Sequence, residues 1–147
     1  MDEKIKDNIY YVCTMIEYTA RATNNHRKDI ITHLSGQDIK HELKAAEVNH
    51  CLTFDQISDE WIEQYNISKG NYDTVNTCKY TVPSVTAIGR VYQQLVTSTA
   101  KNNDYPQAIA DVFSSFISDE ISDFNSNVYY SNPDYLKCSY EAGFLLD

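Results

Sequence analysis

Apolar side chains recur along this chain at steps of three and four residues, the spacing that gathers them on one face of an α-helix. Ile9, Val12, Cys13, Ile16 and Ala20 form the first such stripe and predict a helix over 2–22. Asp2, Glu3 and Asp7 lie early in it and Arg21 late, as the helix dipole favours. Asn24-Asn25 ends it. Ile30, Ile31 and Leu34 predict a short helix over 26–34, and Ile39, Leu43 and Ala46 a third over 37–48. Phe54, Ile57, Trp61 and Tyr65 make a fourth stripe, with Asp59, Glu60 and Glu63 turned away. Trp61, the only tryptophan, is expected in the core. Val85, Ile88, Tyr92, Leu95 and Val96 mark a helix that Pro83 opens and that runs to 101. A wide face of Ile109, Val112, Phe113, Phe116, Ile117, Ile121 and Phe124 predicts one helix over 104–124. Leu136 and Tyr140, following Asn132-Pro133, predict a last helix that ends near Gly143.

The breaks have their own chemistry. Thr53-Phe54-Asp55-Gln56 fits a capping box, and Leu52 with Ile57 stands at the spacing of a hydrophobic staple. Gly36 suits the left-handed position that follows a helix end. Residues 66–82 show no helical period and are rich in Asn, Asp, Ser and Thr. The expected fold class is therefore all-α: six or seven helices in an orthogonal or irregular bundle, with a loop or short hairpin near residues 66–82. The 147 residues suit a single helical domain, in which that segment is the natural joint between two packed halves, 1–66 and 82–147.

Charge narrows the function classes. The chain carries a formal charge of −9, and from Asn102 onward Lys137 is the one base against eight acids. Such a surface repels phosphate backbones and anionic membranes. The charged start, with no long apolar run after it, predicts a cytoplasmic protein with no membrane partner. The four cysteines (Cys13, Cys51, Cys78 and Cys138) are far apart and are expected as free thiols.

No motif for chemistry stands out. His26, His33, His41, His50 and Cys51 cluster in sequence, but their gaps do not match zinc-ligand spacing. His41-Glu42 begins a zincin-like string in which Ala45 takes the place of the second histidine. No metal and no cofactor are expected. An alternative hydrolytic site would use Cys51 with a histidine, His33, His41 or the adjacent His50. A second alternative is a helix-turn-helix over 29–48 with Lys40, His41 and Lys44 on the reading helix. The local balance there is five bases to three acids, less positive than a recognition helix normally brings.

Two stretches carry a resemblance. Ile16-Glu17-Tyr18, then Val48-Asn49-His50 ahead of Ile57-Ser58-Asp59-Glu60, resembles small all-helical bacterial proteins of toxin–antitoxin-like or mobile-element operons. Tyr129-Tyr130-Ser131-Asn132-Pro133-Asp134-Tyr135 through Gly143 is similar to the end of other such proteins. The resemblance implies a bacterial accessory or antidote-like protein and assigns no catalytic residue. The expected function is non-catalytic: an interaction module that presents an acidic, tyrosine-rich C-terminal surface to a basic protein or to a second copy. Asp119, Glu120, Asp123, Tyr129, Tyr130 and Tyr135 are its candidate contact residues.

Overall fold

The structure, a computed structural model, describes residues 2–147. Among them eight α-helices form and no strand does. In chain order they are α1 (Glu3–Thr23), α2 (Arg27–Thr32), α3 (Gly36–Asn49), α4 (Phe54–Gln64), α5 (Val85–Thr99), α6 (Tyr105–Ser114), α7 (Ile117–Ser122) and α8 (Pro133–Ala142), with a short 3₁₀ turn at Val128–Tyr130.

Helix α1 is the axis of the bundle. It packs most extensively on α5 and also touches α2, α3 and α4. The apolar stripe read from the sequence is fully buried, but so are Thr14, Met15, Glu17 and Thr19 between its members. A helix covered on several sides needs no clean polar face. Its polar side chains are satisfied internally: Thr14 Oγ1 donates to the Tyr10 carbonyl, Thr23 Oγ1 to the Thr19 carbonyl, and Thr19 shares a hydrogen bond with Ser58 of α4. Helix α1 lies close to α5 at Gly89, where a Cβ atom would come within 3.1 Å of Thr14 Cα.

One hydrophobic cluster draws on every helix, from Ile9 through Trp61, Tyr92 and Phe113 to Leu136. Tyr92 and Phe113 stack at 4.0 Å between centroids. At about 1.5–3 kcal/mol for each buried large side chain, this cluster is the main stabilising term.

The local chemistry of the helix ends departs from expectation in three places. The expected 104–124 helix breaks at Ser115, so that the helices exceed the six or seven anticipated. Ser115 adopts an extended backbone; its hydroxyl donates to the Val112 carbonyl and accepts from the Ile117 amide, replacing helical bonds with side-chain ones. Gly36 is not left-handed; it is the first residue of α3, behind a capping box formed by Ser35 and Asp38. Pro83 lies outside α5, whose N-cap is Ser84, accepting from the Ala87 amide. The capping box at Thr53 and Gln56 forms as read, while Leu52 remains 43% exposed. Asn24 and Gly143 take the left-handed C-caps of α1 and α8.

Residues 66–82 form an irregular loop and not a hairpin. Its backbone is sewn to the end of α1: the Gly70 amide donates to the Thr23 carbonyl and the Tyr72 amide to the Asn24 carbonyl, both at 2.8 Å. A Cβ at position 70 would lie 2.6 Å from the Asn24 carbonyl oxygen, so only glycine fits. Further on, the loop is tied to the turn after α7, where the Lys79 amide donates to Asn125 Oδ1 and the Cys78 thiol to the Phe124 carbonyl.

Candidate functional site

Ionisable groups converge in two places, one inside the bundle and one at its surface. Inside, Glu17 of α1 receives Arg27 through two hydrogen bonds, Nε to Oε1 at 2.8 Å and Nη2 to Oε2 at 2.6 Å. Arg21, one turn further along α1, donates through Nε to Oε2 at 2.7 Å and through Nη2 to the Pro83 carbonyl at 2.8 Å. Both guanidinium groups lie over the Phe124 ring, at 4.9 and 5.8 Å. Burial pushes the Glu17 carboxyl upward, but the charges and hydrogen bonds of Arg27 and Arg21 outweigh it and hold the group below the usual carboxylate range. The cluster has no route to solvent at Glu17 or Arg27 and joins α1, α2 and the segment before α5. It is built for cohesion.

At the surface, His26 stacks on Tyr72 at 3.7 Å and shares a 2.8 Å hydrogen bond with Asp119. Lys28 also reaches Asp119, at 3.5 Å. The hydroxyl of the group, Ser122, is fully buried, donates to the Asp119 carbonyl and meets the Tyr72 hydroxyl. An acid, an imidazole and a serine thus lie together, but the serine's hydrogen bonds are spent on the scaffold. Asp119, a candidate docking residue, is engaged here.

The remaining candidates of the C-terminal surface are varied. Glu120 and Tyr129 are half-buried, and Tyr129 packs edge-on against Phe124. Asp123 is exposed and caps the Asn125 amide. Tyr135 donates its hydroxyl to the Leu146 carbonyl, and Tyr130 projects outward, 86% exposed. Beyond these, a cleft of about 670 Å³ opens between the end of α5 and helices α6 and α8. Asp104, Asp111 and Glu141 line it beside Tyr140, with Lys101 the single ammonium. Burial and the charges of Asp111 and Glu141 push the Tyr140 hydroxyl upward. Asp104, Asp111 and Glu141 count among the eight acids of the last third, but no local pattern groups them, because three helix ends bring them together.

Of the alternative catalytic residues, His50 and Cys51 meet: Nε2 and Sγ are 3.6 Å apart, and Cys51 is exposed. His41 stands nine residues earlier on α3, about 13 Å along the axis, and is exposed. Lys40 and Lys44 border an apolar groove of about 370 Å³ floored by Ile5, Ile9, Leu43 and Tyr105. Among the described residues no group of three His, Cys, Asp or Glu side chains could hold a metal ion, and no helix is long and apolar enough to cross a membrane. Comparison with protein-family models, with curated proteins and with solved structures finds no match to this chain.

Proposed function

We propose that this chain is a non-catalytic, intracellular protein-interaction module, accessory or antidote-like, whose acidic and tyrosine-bearing C-terminal third receives a basic protein. The observation that carries this reading is the cleft at α6 and α8, where three carboxylates and a tyrosine face one ammonium. A lysine or arginine side chain entering it gains the attraction of several carboxylates at once, and the Tyr140 ring offers a face for a guanidinium. The exposed Tyr130 and Phe144 supply apolar contact area of the kind enriched in interfaces. The acid, imidazole and serine of the His26 cluster are consumed by internal hydrogen bonds.

The test is fluorescence anisotropy of a labelled arginine-rich peptide against the full chain, with co-purification from native lysate beside it. Binding that weakens with salt, and weakens roughly tenfold in Asp111→Lys with Glu141→Lys, supports the reading. A chain that elutes alone and binds the peptide no differently after charge reversal refutes it.

A further inference from the structure

Helix α3 ends on an imidazole, and the next residue is a thiol. His50 is the C-cap, and its Nδ1 lies 3.1 Å from the Ala46 carbonyl oxygen. A carbonyl oxygen only accepts, so the proton sits on Nδ1 and the neutral ring keeps its lone pair on Nε2. That nitrogen lies 3.6 Å from Cys51 Sγ, a hydrogen-bond distance for the larger sulfur atom. The thiol therefore donates to a ring whose tautomer the helix backbone fixes. Nucleophile, base and orienting group stand in sequence, which is the logic of an activated cysteine.

The other thiols are placed differently. Cys13 is fully buried, and burial pushes its thiol well up. Cys78 is half-buried and spends its proton on the carbonyls of Tyr80 and Phe124. Cys138 is exposed on α8 and forms no hydrogen bond with a ring nitrogen among the described residues. Cys51 alone combines exposure with a base. His50 also lines a groove of about 580 Å³ with Tyr10, Tyr11 and Arg90.

We infer that Cys51 is a modification site: a nucleophilic thiol, served by His50, that exchanges with low-molecular-weight disulfides and then carries a mixed disulfide. The sulfur attacks one sulfur of the incoming disulfide. A new S–S bond forms at Cys51, the old one breaks, and its electron pair leaves with the departing thiolate, which takes the proton that His50 received. One disulfide replaces another, so no further oxidant is needed. A reducing thiol reverses the step and restores the free cysteine.

The test reacts the folded full chain with bis(nitrobenzoate) disulfide under pseudo-first-order conditions. Released nitrothiobenzoate is followed by absorbance, and peptide mapping locates the label, with Cys138 as the exposed control in the same molecule. The expected result is labelling of Cys51 about tenfold faster than Cys138 near neutral pH. His50→Gln should slow Cys51 about fivefold and leave Cys138 unchanged. Equal rates at the two cysteines in the unaltered chain would overturn the inference without recourse to any variant. So would an unchanged Cys51 rate in His50→Gln, where an unlabelled Cys13 reports that the core is intact.

Discussion

Arg27 holds Glu17 in two parallel hydrogen bonds at a point where the two residues are 1% and 0% exposed. The pair is matched in charge and geometry, and Arg21 and the Phe124 face complete its surroundings. Losing one partner leaves the other charged and dry. Arg27→Met or Glu17→Gln should each destabilise the fold by about 3–5 kcal/mol, whereas Glu17→Leu with Arg27→Leu should cost clearly less than the two single changes together. Urea unfolding of the four chains measures the difference. Additive losses would mean that the two side chains do not act as a pair.

Acid should find the same pair. Because the Glu17 carboxyl titrates lower in the folded chain than in the unfolded one, its stabilisation is complete above the unfolded value, about 4.3, and is lost as the pH falls through the folded value. Stability measured across this acid range should therefore fall more steeply for the unaltered chain than for Glu17→Gln, which has no proton to gain at that site.

Alkali acts on the tyrosines. Burial, then the charges of Glu42 and Glu60, push Tyr11 up to about 12, and Tyr18, bonded to Asp55, is also pushed up to about 12. Burial raises Tyr65, Tyr92 and Tyr140 as well. These groups hold protons more tightly when folded, so their contribution is complete below about pH 10 and declines as the pH rises through the folded values. Phenolate absorbance should rise in two phases in the folded chain and in one phase near pH 10 in denaturant. A single phase in both states would contradict the burial of these rings.

Gly89→Ala tests the contact of α1 with α5. A methyl group improves helix propensity by up to about 1 kcal/mol, but here it meets Thr14, with the Cα atom of that residue at 3.1 Å. Overpacking should win, with a net loss of about 1–3 kcal/mol visible as a lower melting temperature. Gly36→Ala, where nothing stands within 4 Å of the new Cβ, is the control and should not destabilise.

Tyr72→Ala removes the ring that stacks on His26 and bonds near Ser122. The loop keeps its backbone bonds to Thr23 and Asn24 but loses its side-chain anchor. Limited proteolysis should then cut within 66–82 several times faster, with the helical fragments otherwise intact. An unchanged cleavage rate would show that the backbone bonds alone hold this segment.

The helices were legible wherever a single period decided the outcome. The stripe from Ile9 to Ala20, the Trp61 anchor and the Thr53 cap are read from neighbours within one turn, and all three appear in the structure. The break at Ser115 was hidden because Phe113, Phe116 and Ile117 continue a helical apolar pattern, while a serine hydroxyl diverts the backbone. The Glu17–Arg27 pair left a faint trace: Glu17 follows Cys13 by four residues and so stands on the buried face. Its partner lies on another helix, and no local rule reaches it. The acidic cleft was likewise a matter of chain geometry, whereas His50 beside Cys51 was legible as a neighbouring pair and only the turn of its ring was not. The cleft needs three helix ends to meet, and the pair needs the ring turned back by Ala46.

Helix α1 packs more on α5 than on any other single helix, and α5 lies some sixty residues further along the chain. On the ribosome, at the usual rate of elongation, α1 waits on the order of ten seconds for that cover. Throughout this interval the side of α1 that α5 will cover stays bare, although Arg21 and Arg27 are already made to match Glu17, so the newborn polypeptide is a natural client for chaperones that hold greasy helices until their mate arrives.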